Sequence, residues 1–163
     1  MVIEKEILVN KSIKDAWNVL GVEFANASKW ASAVKHSAGN GDEFNGSNCS
    51  ERGCSTTMGS IKEKLYEFSN EKYLLAYEVA EGMPSMVKYA TNTWKLVVVE
   101  ENKCKLQIKM DIRMGGFFGS LIEPVMKMQM SKMGNRLVED FAYYVETGQP
   151  HPRKLKALKN QET

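Results

Sequence analysis

Histidine is almost missing from this chain: there are two, His36 and His151, in 163 residues, and both fall in segments expected at the surface. No Ser/His/Asp or Cys/His arrangement is visible and no ligand cluster suits a metal, so neither a metal nor a cofactor is expected. Cysteine is scarce as well. Cys49, Cys54 and Cys104 are odd in number and lack CxxC spacing, which reads as reduced thiols rather than a disulfide framework or zinc site. Long apolar runs are absent: nothing approaches the ~18 residues of a membrane span, and Met1 to Glu6 alternates charge where a signal peptide would be apolar. A cytoplasmic protein is expected. Charge of one sign is missing too, since 22 basic and 20 acidic residues leave a net +2. With no basic stretch interleaved with aromatics before residue 150, no nucleic-acid partner is expected.

What remains is one domain's worth of patterned sequence, without internal repeats or low-complexity segments. The length suits a single core, read here as residues 1–148, with 149–163 as a basic, flexible tail whose Arg153, Lys154, Lys156 and Lys159 are solvated or make a weak contact with an anionic surface. The strongest pattern runs from Pro124 to Glu146, after the glycine cluster Gly115 to Gly119 and before Gly148 and Pro150. Ile122, Met126, Met130, Met133, Leu137, Phe141 and Val145 recur every three or four residues, the spacing of one buried helix face. At ~1.5 Å per residue this helix is roughly 34 Å long, enough for the whole core to wrap around it. Its first half is rich in methionine, which suits either the wall of a deformable cavity or an adaptable ordinary core. Leu121 and Met128 fall opposite the main stripe.

The other elements are shorter. Val2 to Asn10 alternates as a strand, and Ser12 to Asp15 has capping-box spacing ahead of a short helix with Ala16, Trp17 and Leu20. A second short helical piece carries Phe24, Ala27 and Trp30. From Val34 the turns of a meander begin, with Asn40-Gly41 and Asn45-Gly46, then a polar strand from Ser47 to Cys54. Four longer strands follow, Gly59 to Phe68, Tyr73 to Ala80, Met86 to Val99 and Cys104 to Met114, with separators short enough for antiparallel hairpins. The order β-α-α-β6-α predicts an α+β fold, a bent seven-stranded antiparallel sheet around a long C-terminal helix. A helix of ~10 to 12 Å diameter does not fill the trough of such a sheet, so a cavity between the two is expected.

This order, with particular residues in it, resembles the START-like superfamily, also called SRPBCC or helix-grip, and within it the polyketide cyclase/dehydrase and lipid transport family. The stretch Ile7 to Leu20 is similar to the family's opening strand, turn and tryptophan-bearing helix, and Trp30 stands where a second tryptophan often occurs. Arg52-Gly53-Cys54, Gly59 to Leu65, Ala76 to Val79 and Lys88-Tyr89 resemble its central signature, with Glu63-Lys64-Leu65 in place of a common Glu-Arg-Leu. Phe141 to Gly148 resembles the close of its final helix. The resemblance spans roughly Val2 to Gly148 and implies an apolar cavity for a lipid, polyketide or similar molecule, with catalysis in a minority of members. It also implies that Glu63 and Tyr89 match polar cavity residues of the abscisic acid receptors, whose gate sequence is absent at Ser55 to Gly59.

Parity along the strands selects the candidate site. Ile61, Glu63 and Leu65 share one face of their strand, Tyr77 and Val79 of theirs, Tyr89, Thr91 and Thr93 of a third, and Ile108 and Met110 of a fourth. The expected ligand-binding set is Trp30, Glu63, Tyr77, Tyr89, Thr91, Ile108, Met110, Met126, Met130 and Met133, with Phe117 and Phe118 over the mouth beside the loops Ser55 to Gly59, Glu81 to Ser85 and Gly115 to Gly119. Glu63 is either the polar end of the site or the structural partner of Arg52. Glu63 and Tyr89 are the one acid/base pair available for catalysis. Binding of a small hydrophobic ligand is the favoured function, a cyclase/dehydrase-like enzyme the alternative, and an interaction protein with a filled cavity the third.

Overall fold

The alternation at the start of the chain forms strand β1 (Val2–Val9), in which Ile3 and Val9 are buried while Val2 and Leu8 are exposed. Ser12 caps helix α1 (Ile13–Trp17): its hydroxyl oxygen accepts the Asp15 N–H at 3.2 Å and its proton goes to the Asp15 carboxylate at 2.8 Å. A π turn (Asn18–Val22) and a 3-10 stretch (Phe24–Lys29) carry the chain to the far edge of the sheet. There follow β2 (Val34–Asn40), β3 (Glu51–Thr56), β4 (Gly59–Ser69), β5 (Leu74–Glu81), β6 (Val87–Glu100) and β7 (Lys103–Met114). The long helix α2 (Gly116–Thr147) and a short α3 (Pro152–Lys159) complete the computed structural model, which describes residues 1–159 apart from the side chain of Phe118.

All seven strands join one antiparallel sheet in the order β1-β7-β6-β5-β4-β3-β2, the α+β architecture the element order predicts. The first strand therefore lies beside the last, Val2 opposite Asp111 and Val9 opposite Cys104. α2 packs against β1 and β7. Gly134 makes the approach close, since a Cβ there would come within 3.2 Å of the Lys5 side chain and 3.4 Å of the Met110 methyl. At the other end Glu146 accepts two hydrogen bonds from Asn10, from N at 2.7 Å and Nδ2 at 3.1 Å, tying the helix to the end of β1. Gly148, at φ +71, then closes α2 with its N–H on the Tyr144 carbonyl at 2.8 Å, a left-handed cap that glycine adopts without strain.

Three expectations are corrected. α2 begins at Gly116, about two turns before the expected start, and carries Pro124 inside it, since a proline in a helix forfeits one backbone hydrogen bond and does not have to end it. β3 begins at Glu51, since Phe44 and Ser47 close a tight bridge of their own and the Ser47 hydroxyl turns back to the Cys49 carbonyl at 2.9 Å. The segment read as a solvated tail is helical as far as Lys159 and docked. Lys154, buried, donates to the Val34 carbonyl, and Arg153 Nε lies 2.9 Å from Asp140 Oδ1 with its hydrogen directed at His151 Nδ1, 3.0 Å away. Asp140 in turn accepts from the Ser32 backbone at 2.8 Å, so α3, α2 and the approach to β2 form one cluster.

Candidate functional site

The core divides along α2. In its C-terminal half Val138, Phe141, Ala142 and Val145 are buried, and Phe141 stacks edge-on against Trp30 with ring centres 5.4 Å apart. In its N-terminal half Met126, Met130, Met133 and Leu137 face not a filled core but a cavity of about 260 Å³. The opposite wall is the concave face of β5, β6 and β7, and Trp30, Ala31 and Val34 close one end. Met58, in the turn between β3 and β4, lines the cavity and is 72% exposed, which marks that turn and the facing Gly82 to Pro84 as the opening.

One end is polar. Arg52 and Glu63, opposite each other in the β3–β4 register, are both buried and both line the cavity. Arg52 Nε and Nη2 meet Glu63 Oε2 at 2.7 and 2.6 Å, Nη1 donates to the Phe24 carbonyl at 2.6 Å, and the guanidinium lies over the Phe24 ring 4.2 Å from its centre. Burial opposes the Arg52 charge, and the Glu63 carboxylate with its neighbours overcomes that and holds the guanidinium above its ordinary pKa. Cys54 places its thiol 3.5 Å from the same Glu63 oxygen, and burial pushes that thiol up to about 12. The Tyr77 hydroxyl is raised first by burial and then by the nearby Glu63 charge. Neither group is poised to ionise near neutral pH.

Of the residues selected from sequence, Trp30, Glu63, Tyr77, Met110, Met126, Met130 and Met133 come together around the cavity. Ile108 is buried on the inward face but lies outside the cavity wall, across the sheet from Trp94. Tyr89 and Thr91 are corrections. A register shift between Val87 and Tyr89 inserts one residue into β6, so Val87 lines the cavity on one parity while Ala90, Asn92 and Trp94 line it on the other. Tyr89 is thereby turned to the outer face, where its hydroxyl donates to Asp111 at 2.7 Å and Arg113 lies over its ring. With Tyr89 outside and Glu63 held by Arg52, the nominated acid/base pair is not assembled. Phe117 is 79% exposed and is not part of the cavity wall, and the side chain of Phe118 lies outside the described residues. Sequence reading missed Arg52, Asn92 and Trp94 as wall residues, although the run Trp94-Lys95-Leu96 signals that the even positions of β6 point inward. Among the described residues no group of three His, Cys, Asp or Glu side chains gathers to hold a metal, and no helix is long and apolar enough to cross a membrane.

Solved structures share this architecture. A START superfamily protein from Mycobacterium smegmatis superposes with a TM-score of 0.76 at 13% identity, over 91% of this chain and 99% of that one. Norcoclaurine synthase from Thalictrum flavum does so with a TM-score of 0.69 at 19% identity, over 89% and 86%. A protein from Nitrosospira multiformis gives 0.70 at 15% identity, over 91% and 98%. At such identities the likeness is one of fold. Among curated proteins none matches by sequence. The family model for polyketide cyclase/dehydrase and lipid transport, however, matches residues 1–146, from β1 to the last turn of α2. A sheet that grips its long helix, a cavity held between them and a family match across both place one conclusion beyond the fold alone: this chain belongs to the polyketide cyclase/dehydrase and lipid transport family.

Proposed function

We propose that this protein binds a small hydrophobic molecule, a lipid, polyketide or similar compound, in the cavity between its sheet and α2. The observation that carries the reading is the division of α2 into a packed half and a methionine half that faces open space, with an opening at Met58. Flexible thioethers adapt to an apolar guest with little strain. Binding is favoured over catalysis. The carboxylate in the cavity is tied to Arg52, the Tyr77 phenol resists ionisation, and Tyr89 faces away. Native mass spectrometry of the protein purified from its own host tests the proposal. A retained apolar adduct that denaturation releases is the expected result; a protein that emerges bare and takes up no apolar probe in titration overturns it.

A further inference from the structure

The inward face of β6 carries a polar group that the fold leaves unsatisfied. Trp94 is 3% exposed and lines the cavity, and its indole N–H, fully buried, makes no hydrogen bond among the described residues. Buried donors are rarely left so. The neighbourhood holds further donors. Asn92, two residues earlier on the same face, also lines the cavity and stands directly opposite Tyr77 in the β5–β6 register. Tyr77 is buried, and its hydroxyl is the neighbour to which the Trp94 N–H leans, a weak hydrogen-bonding contact that lowers the Tyr77 pKa against its burial but falls short of full hydrogen-bond geometry.

We propose that Trp94, Tyr77 and Asn92 form a subsite for a carbonyl oxygen on an uncharged, otherwise apolar ligand. This rests on the cavity-binding reading above and specifies the polar end of what is bound. An indole N–H can only donate, a phenol and a carboxamide can both donate, and a carbonyl oxygen has two lone pairs, one for the indole and one for either of the others. A carboxylate is excluded by charge. Among the described residues Arg52 is the one buried cation of the cavity wall, it is already matched by Glu63, and an incoming anion would sit unpaired beside that carboxylate. Met126, Met130 and Met133 form the wall facing the subsite, and their three-torsion side chains can move aside to let the carbonyl reach the N–H.

Isothermal titration with three probes of one skeleton, naphthalene, 2-acetylnaphthalene and 2-naphthoate, tests this on the wild-type chain and on Trp94→Phe and Tyr77→Phe. The ketone should bind the wild type about three to ten times more tightly than the hydrocarbon, the worth of one or two net hydrogen bonds, and the carboxylate more weakly than either. In Trp94→Phe the ratio of ketone to naphthalene affinity should fall toward one, whatever the enlarged cavity does to both, and measurable naphthalene binding certifies that the variant keeps its cavity. Tyr77→Phe provides the same reading independently should Trp94→Phe unfold. Equal affinity of ketone and hydrocarbon for the wild type, an advantage that survives both substitutions, or a preference for naphthoate each overturns the subsite while leaving the cavity standing. Failure of all three probes to bind the wild type instead overturns the cavity reading, and the subsite with it.

Discussion

Arg52 places two nitrogens on a single oxygen of Glu63, and among the described residues every hydrogen bond to the Glu63 carboxylate uses that oxygen. The Arg52 guanidinium lies over the Phe24 ring, and both side chains of the pair are less than a tenth exposed, so each charge depends on the other. Glu63→Gln should therefore cost about 3–5 kcal/mol in urea unfolding, because it strands a buried guanidinium. The double variant Arg52→Met/Glu63→Leu should recover most of that loss. A single variant within about 1 kcal/mol of wild type would show that solvent reaches the pair.

Alkaline pH should destabilise the protein from about pH 9 upward. The Cys54 thiol ionises at 9.0 when unfolded and only near 12 when folded, chiefly because of burial. Stability is thus fully present below pH 9 and drains away as the unfolded chain releases a proton that the folded chain keeps, at up to about 1.4 kcal/mol per pH unit for one such group. Cys54→Ala should flatten the fall between pH 9 and 11 in urea titrations. A slope unchanged by the substitution would assign it to Cys104 or Tyr77, whose ionisations burial also delays.

The two halves of α2 should respond differently to truncation. Phe141→Ala removes a ring that is 0% exposed and stacked on Trp30, and should cost about 3–5 kcal/mol. Met133→Ala removes a half-buried side chain from a wall that already faces open space, and should cost less than about 2 kcal/mol while enlarging the site for an apolar probe. Chemical denaturation and probe titration on the same two variants check both.

Tyr89→Phe should leave probe binding untouched, since the hydroxyl it removes bonds Asp111 on the outer face of the sheet. Any tenfold change in affinity would mean that Tyr89 reaches the cavity after all.

That last expectation reverses the sequence reading, and the reason is instructive. The gripping sheet, its antiparallel order and the division of α2 were legible because they rest on long periodic runs: Leu106 to Met114 alternates without interruption, and the apolar stripe from Ile122 to Val145 keeps its spacing over about six turns. Parity on β4, β5 and β7 carries Glu63, Tyr77 and Met110 inward as read. On β6 the same count fails, because a one-residue bulge leaves no composition mark in Val87-Lys88-Tyr89 and every position after it changes sides. Counting back from Trp94, which is more apolar than Tyr89, would have found the correct face. α3 was missed for another reason: its dock depends on single buried partners, Lys154 at Val34 and Arg153 at Asp140, that no local pattern announces.

β1 has one neighbour in the sheet, and it is the last strand made. Translation therefore delivers the edge with Ile3, Ile7 and Val9 long before the residues that cover it, Cys104 to Asp111, exist. Closure of so distant a pair is slow in any chain of this topology. A ribosome that stalls before β7 would release a product with a bare apolar strand and no helix to grip, the kind of species that pairs edge to edge with its own copies. The cavity cannot form piecemeal during synthesis, because Met110 and Ile112 of β7 and the methionines of α2, all made late, supply much of its wall.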